Sequence, residues 1–171
     1  MSEIHLEPLS AAHLDGVRRL VADPAVLRFT RIPEPVPIDF PARWIGRYEE
    51  GRRDRSREGF AIEASSDAAF LGLALVPAID LEARTVELGY IVAEEARGRG
   101  VATEGLRLLT GWALSELGAL RLELLISVEN EASKRVAGRC GYEREGVLRS
   151  TYVKPGVRDD VEIWSRLGGD D

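Results

Sequence analysis

The sequence predicts an α+β fold, and three observations carry that expectation. Three strand-like segments follow one another between residues 59 and 92 with no helix among them, which favours an antiparallel meander over repeated strand–helix–strand units. A glycine-rich loop, Arg97-Gly98-Arg99-Gly100-Val101-Ala102, then opens a long helix. Beyond it the pattern continues as strand, helix and two closing strands. With 171 residues and no interdomain linker, repeat or low-complexity tract, one domain over 1–171 is expected, burying about two-thirds of its unfolded surface.

Residues 4–8 alternate apolar and polar, the period of a half-buried strand. Ser10 precedes Leu14, Val17, Leu20 and Val21, a helical face with a serine N-cap. Asp23-Pro24 interrupts that helix, and residues 25–28 form a second short one. Pro33, Pro35, Pro37 and Pro41 make 31–41 an extended surface loop. Residues 42–50 are helical, with Trp44, Ile45 and Tyr48 on one face. The charge run 52–58 reads as a solvated turn. Strands are expected at 59–63, 68–76 and 84–92, and a helix at 101–117 is closed by Gly118. A strand at 120–128 follows, then a helix at 131–140 ended by Gly141. Strands at 142–152 and 161–167, joined through Lys154-Pro155-Gly156, complete the chain.

The totals narrow the function. An apolar fraction of 44% and a charged fraction of 30% are those of an ordinary globular protein. The net charge of -6 argues against a nucleic-acid partner, which needs a basic face, and leans toward a basic or amine-bearing one. Cys140 is the only cysteine, so no intrachain disulfide forms, and its apolar setting marks a buried structural thiol. With His5 and His13 as the only histidines, neither a metal site nor a histidine-centred triad is expected. The longest nearly uncharged run, 68–79, is broken by Gly72 and Pro77, and a membrane span needs about 20 residues. The start of the chain lacks the pattern of a secretory signal, so the expected compartment is the cytoplasm, with no membrane partner.

The loop at 97–102 has a direct physical use. The first amides of a helix lack intrahelical partners, and the helix dipole favours an anion there. Gly98 and Gly100 remove side chains that would keep a phosphate from the backbone, while Arg97 and Arg99 add positive charge. A nucleotide P-loop would need Gly-Lys-Ser/Thr, which is absent, and a dinucleotide fingerprint would need a third glycine where Thr103 stands. A glycine-rich turn that binds nothing explains the hexapeptide alone equally well.

Its neighbours go further. Val86-Glu87-Leu88-Gly89-Tyr90-Ile91-Val92, followed by the loop and Thr103-Glu104, resembles the central motif of the GNAT N-acetyltransferases. The similarity is to the branch that acetylates ribosomal-protein N-termini, the RimJ/RimL type. It continues through Leu6-x-Pro8-Leu9, Asn130-x-x-Ser133, Gly141-Tyr142, Glu145-Gly146-Val147-Leu148-Arg149 and residues 160–164. The resemblance implies a three-layer α/β/α GNAT fold, with a mixed, mostly antiparallel sheet of about seven strands and about four helices. It also implies that the sheet is splayed at a central parallel pair. Acetyl-CoA would lie in that gap as cosubstrate, with no metal, its pantetheine arm taking backbone hydrogen bonds from Ile91 and Val92. Its pyrophosphate would rest on the amides of 97–102, beside Thr103. The acceptor implied is a primary amine, on a protein N-terminus or a small molecule, and dimers are common in the branch.

Acyl transfer to an amine needs a neutral nitrogen and a proton for the leaving thiolate. Glu87, on the strand bordering the gap, is the candidate base; a carboxylate held within the sheet is the competing account, and a one-residue change of strand phase would turn it away. Ser133 is the candidate proton donor, since the tyrosine many GNAT enzymes use falls here at Ala137. Asn130 caps the helix and would also serve the cofactor. Where RimL-like sequences often carry another glutamate, this chain has Tyr152. Trp44, Tyr48 and Tyr90 are candidates for the acceptor pocket, with core packing as the simpler account. Nothing fixes the acyl group, and a non-catalytic acyl-CoA-binding module with the same fold is the alternative of a different class.

Overall fold

The computed structural model describes residues 3–170. Seven strands form one sheet in the order β1 (Ile4–Pro8), β2 (Glu58–Ala64), β3 (Phe70–Asp80), β4 (Thr85–Val92), β5 (Arg121–Ser127), β7 (Val157–Leu167), β6 (Glu143–Lys154). Every pairing is antiparallel except that of β4 with β5. A parallel pair needs a long crossover, and α4 (Val101–Glu116) supplies it. With α5 (Glu131–Arg139) it covers one face of the sheet; α1 (Leu14–Val21), α2 (Pro24–Arg28) and α3 (Phe40–Asp54) cover the other. The α+β, three-layer GNAT arrangement expected from the sequence is the one observed, with five α-helices.

Alternation along β4 assigns its side chains to those faces. Val86 and Leu88 join Leu106, Leu109 and Ala113 of α4 in one core, while Ile91 packs with Val17, Leu20, Ile45 and Tyr48 in the other. Glu87, between Val86 and Leu88, therefore points to the α1–α3 side.

The parallel ladder runs from Thr85 opposite Arg121 to Leu88 opposite Leu124 and stops there. At that level β3 is irregular: Leu75 faces Gly89 and Ala78 faces Glu87, so Val76 and Pro77 lie against Leu88 alone. Proline cannot donate to a ladder and is accommodated at a bulge, which also bends the strand. This is why β3 continues past the expected stop at 76. Nearer its start, a Cβ on Gly72 would lie 2.2 Å from the Ile91 carbonyl oxygen, so only glycine lets β3 and β4 approach this closely.

The charge run 52–58 is not a solvated turn. α3 extends through it to Asp54, Arg55 closes the helix in the left-handed region (φ 61°), and Glu58 begins β2. Arg52 Nε donates to both Glu58 carboxylate oxygens (2.7 and 2.9 Å), and its Nη2 donates to the Leu9 and Gly59 carbonyls. Arginine and glutamate are good helix formers, and the buried Glu58 explains why the charges cluster there.

Two further ties fix the outer elements. Lys154, buried on β6, donates to the Leu27 carbonyl (2.7 Å) and pairs with Glu34, anchoring the proline-rich segment. Arg121 on β5 reaches across β7 to Glu145 on β6 (2.6 Å) while also holding Glu123 (2.5 Å). Among the described residues no helix is long and apolar enough to cross a membrane. Nor does any group of three or more His, Cys, Asp or Glu there have a metal-site arrangement.

Candidate active site

Beyond Leu88 and Leu124 the two parallel strands diverge, and a cleft of about 1040 Å³ opens between them. It is lined by residues of α2 and α3, by Glu87 to Val92, by the loop before α4 and by residues of α4 and α5.

At the loop end the backbone is arranged for an anion. Gly98 (φ 71°) and Gly100 (φ 82°) adopt the left-handed conformation that glycine tolerates without cost. The amides of Gly98, Arg99, Gly100, Val101, Ala102 and Thr103 have no hydrogen-bond partner among the described residues; the first amide satisfied is that of Glu104, by the Gly100 carbonyl (3.0 Å). All of these except Arg99 and Glu104 line the cleft. Arg99 turns outward instead, its guanidinium donating to the Glu95 carbonyl (3.4 Å), because the glycines on either side of it give the turn its inner surface. Arg97 stays at the cleft: Nε donates to the Val92 carbonyl (3.2 Å), and Nη2 pairs with Asp23. Burial alone would raise the Asp23 carboxyl; the Ala25 amide and Arg97 outweigh it and hold the group below its ordinary value. Arg135 and Arg139, one helical turn apart on α5, complete this end. Sequence reading passed over both, although their i, i+4 spacing was a usable signal.

In the middle of the cleft lie Tyr90, Ser133 and Asn130. Asn130 Oδ1 accepts from the Ser133 amide (3.1 Å), the N-cap expected of it. Tyr90 is on the α5 side of β4, apart from Trp44 and Tyr48. Burial pushes its hydroxyl up to about 12, and the Ser133 hydroxyl beside it pulls the other way, although the two stand outside hydrogen-bond geometry. Two buried side-chain polar atoms among the described residues lack partners, Tyr90 Oη and Thr30 Oγ1, and both residues line the cleft. Buried polar groups are rarely left so, and a ligand in the cleft would satisfy both.

At the far end stands Glu87, half-buried and lining the cleft as the strand phase requires. Burial pushes its carboxyl above the ordinary value; Arg31 pulls it down, and Glu123, directly opposite on β5, pushes it up again. Phe40, Trp44 and Tyr48 follow one another along α3 with ring centroids 5.5 and 6.2 Å apart, giving this end an aromatic wall. Tyr152 is 51% exposed and shares a smaller cavity of about 90 Å³ with Glu87. Cys140 takes no part: it is 4% exposed, its thiol is raised by burial, and Sγ donates to the Thr103 carbonyl (3.4 Å).

Comparison with known proteins agrees with this geometry. Residues 3–143 match the acetyltransferase (GNAT) domain family. The probable N-acetyltransferase YjcK of Bacillus subtilis (strain 168) is 30% identical over 128 residues, 74% of this chain and 71% of that protein. Two solved structures share the fold. RimL, a ribosomal L7/L12 alpha-N-protein acetyltransferase in complex with coenzyme A, superimposes with a TM-score of 0.89 at 20% identity, over 100% of this chain and 97% of that one. Spermidine N-acetyltransferase from Vibrio cholerae, in complex with CoA and spermine, gives 0.86 at 21% identity, over 99% and 98%. A phosphate-ready loop, a sheet opened at its parallel pair and a family match across most of the chain converge: this protein belongs to the GNAT family of N-acetyltransferases.

Proposed function

We propose that the chain transfers the acetyl group of acetyl-CoA to a primary amine, with a protein N-terminal α-amine as the leading acceptor and a small-molecule amine second. The observation that carries this reading is the continuity of the cleft, which runs from the free amides of 98–103, through the opened strand pair, to Glu87. The residues present fit the donor: unpaired amides and Arg97, Arg135 and Arg139 for its phosphates, and the gap beyond Leu88 for its pantetheine arm. When bound, acetyl-CoA supplies an activated acyl group and a thiolate as leaving group.

The protein's own part follows from placement. Glu87 takes a proton from the incoming ammonium, so that a neutral nitrogen forms the new C–N bond as the C–S bond breaks. Burial raises its pKa above the ordinary carboxylate value, which makes it a stronger base for that exchange. Ser133 gives a proton to the departing sulfur and regains one through solvent as the acylated nitrogen sheds its own. Two proteins of this fold, one named for a ribosomal protein and one a spermidine N-acetyltransferase solved with spermine, support keeping both acceptor classes in view.

Incubation with acetyl-CoA and a broad amine panel, following free thiol with a chromogenic disulfide, tests the proposal. Acceptor-dependent thiol release is expected. Tight binding in calorimetry without release would instead assign the chain to a non-catalytic acyl-CoA-binding module, and no binding at all would end the reading. Longer acyl thioesters in the same assay define the donor.

A further inference from the structure

The cleft is lined by six arginines and a single carboxylate, Glu87, in a chain whose net charge is -6. Arg97, Arg135 and Arg139 surround the donor loop. Arg31, Arg47 and Arg57 line the cleft with Trp44, Tyr48 and Glu87, away from the loop before α4. Burial pushes the Tyr48 hydroxyl up to about 12 while Arg57 and Arg47 pull it down, and Arg31 pulls down Glu87.

None of these three arginines forms an ion pair among the described residues. Arg57 makes the strongest case. It is half-buried, and its stem crosses Gly51 so closely that a Cβ there would meet Arg57 Cγ at 1.8 Å. Five residues earlier Arg52 is satisfied by Glu58, and Asp54, which senses Arg57, spends its carboxylate on the Ser56 amide (2.9 Å). A guanidinium packed into a cleft wall and left without an acid is a recognition group for a carboxylate or phosphate.

We infer that the acceptor is an amine tethered to an anionic group, with Arg31, Arg47 and Arg57 holding the anion while Glu87 faces the nitrogen and Thr30 Oγ1 meets the chain between. The inference rests on the acetyl-transfer reading above and specifies its substrate. A polyamine, which needs several carboxylates along its length, meets only Glu87 in the cleft and Asp159 in the adjoining small cavity, against three like charges. The anion-bearing amine has two sources, an acidic peptide N-terminus or a free amino acid, and the assay separates them.

Thiol release is measured with a peptide beginning Ser-Asp-Glu, a neutral peptide of equal length, free aspartate and spermidine. The acidic peptide or aspartate is expected to lead spermidine by about tenfold or more in kcat/KM, and the lead should shrink with added salt. Arg31→Gln and Arg57→Gln are each expected to raise KM for the anionic acceptor about tenfold while leaving KM for acetyl-CoA within about twofold, which also reports an intact fold. Spermidine turned over as well as the anionic amines, or an anionic-acceptor KM unmoved in both variants, overturns the inference and leaves acetyl transfer standing. Release with no amine at all overturns both.

Discussion

At the scale of single residues, the proposed chemistry turns on two side chains, Glu87 and Ser133, on opposite faces of the sheet. Glu87 must be deprotonated to act, and burial raises its pKa first of all. Turnover is therefore expected to rise with pH through that raised value and level off above it. Glu87→Gln should lower kcat at neutral pH by about 10²–10³-fold, with the deficit easing toward high pH, where the amine is already neutral; a variant with the parental pH–rate profile removes Glu87 from the mechanism. Ser133→Ala is expected to lower kcat by about tenfold or more with KM for acetyl-CoA nearly constant, because the hydroxyl meets the sulfur only as it departs. Equal loss in KM would make Ser133 a binding residue. Both candidates were named from the sequence through its resemblance to the GNAT motifs, which residue type and local spacing carry. The grouping of Arg31, Arg47 and Arg57 was not. They are far apart along the chain, and net charge pointed the other way, because charge summed over a molecule says nothing of the potential in one cleft.

At the scale of elements, the proposed donor site belongs to one loop–helix junction. Gly100 sits at φ 82° as the N-cap of α4, so any side chain there is strained, and a carboxylate also repels a phosphate. Gly100→Glu is expected to abolish acetyl-CoA binding in calorimetry while the far-ultraviolet spectrum stays parental; binding within about tenfold of the parent would place the phosphates elsewhere. The loop and the start of α4 could be read from the sequence because their physics is contained within a few consecutive residues. Acetyl-CoA as the ligand came instead from the resemblance of the neighbouring motifs. The limits of α3 could not be read locally. Arg52 looked solvated until Glu58 and the Leu9 and Gly59 carbonyls were brought around it, and no local pattern announces such partners. The same holds for β3, which passes through Pro77 because a bulge opposite Leu88 removes the need for that N–H.

At the scale of the whole molecule, the sheet is held on its far side by a bracket of charge. The Arg121 guanidinium, helped by Ser165, holds Glu145 down from 4.5 to about 2. A carboxyl depressed in the folded state contributes stability that is fully present above its unfolded value and is lost as pH falls toward the folded one. The difference in unfolding free energy between the parent and Arg121→Ala should therefore be constant near neutrality and shrink between pH 4.5 and about 2. A difference that does not change with acid means the arginine acts through packing alone. On the other side of the sheet, the ladder that ends at Leu88 and Leu124 leaves one edge of β4 without its next strand. A molecule that lent the missing rungs would bind only the native chain, and melting temperature would then become a readout of its concentration. Acetyl-CoA at one hundred times its Kd is expected to add about 2.7 kcal/mol, or about 5–10 °C for a chain of this length. The Gly100→Glu protein should melt at the same temperature with or without it, and an equal rise in both would move the binding place away from the open seam.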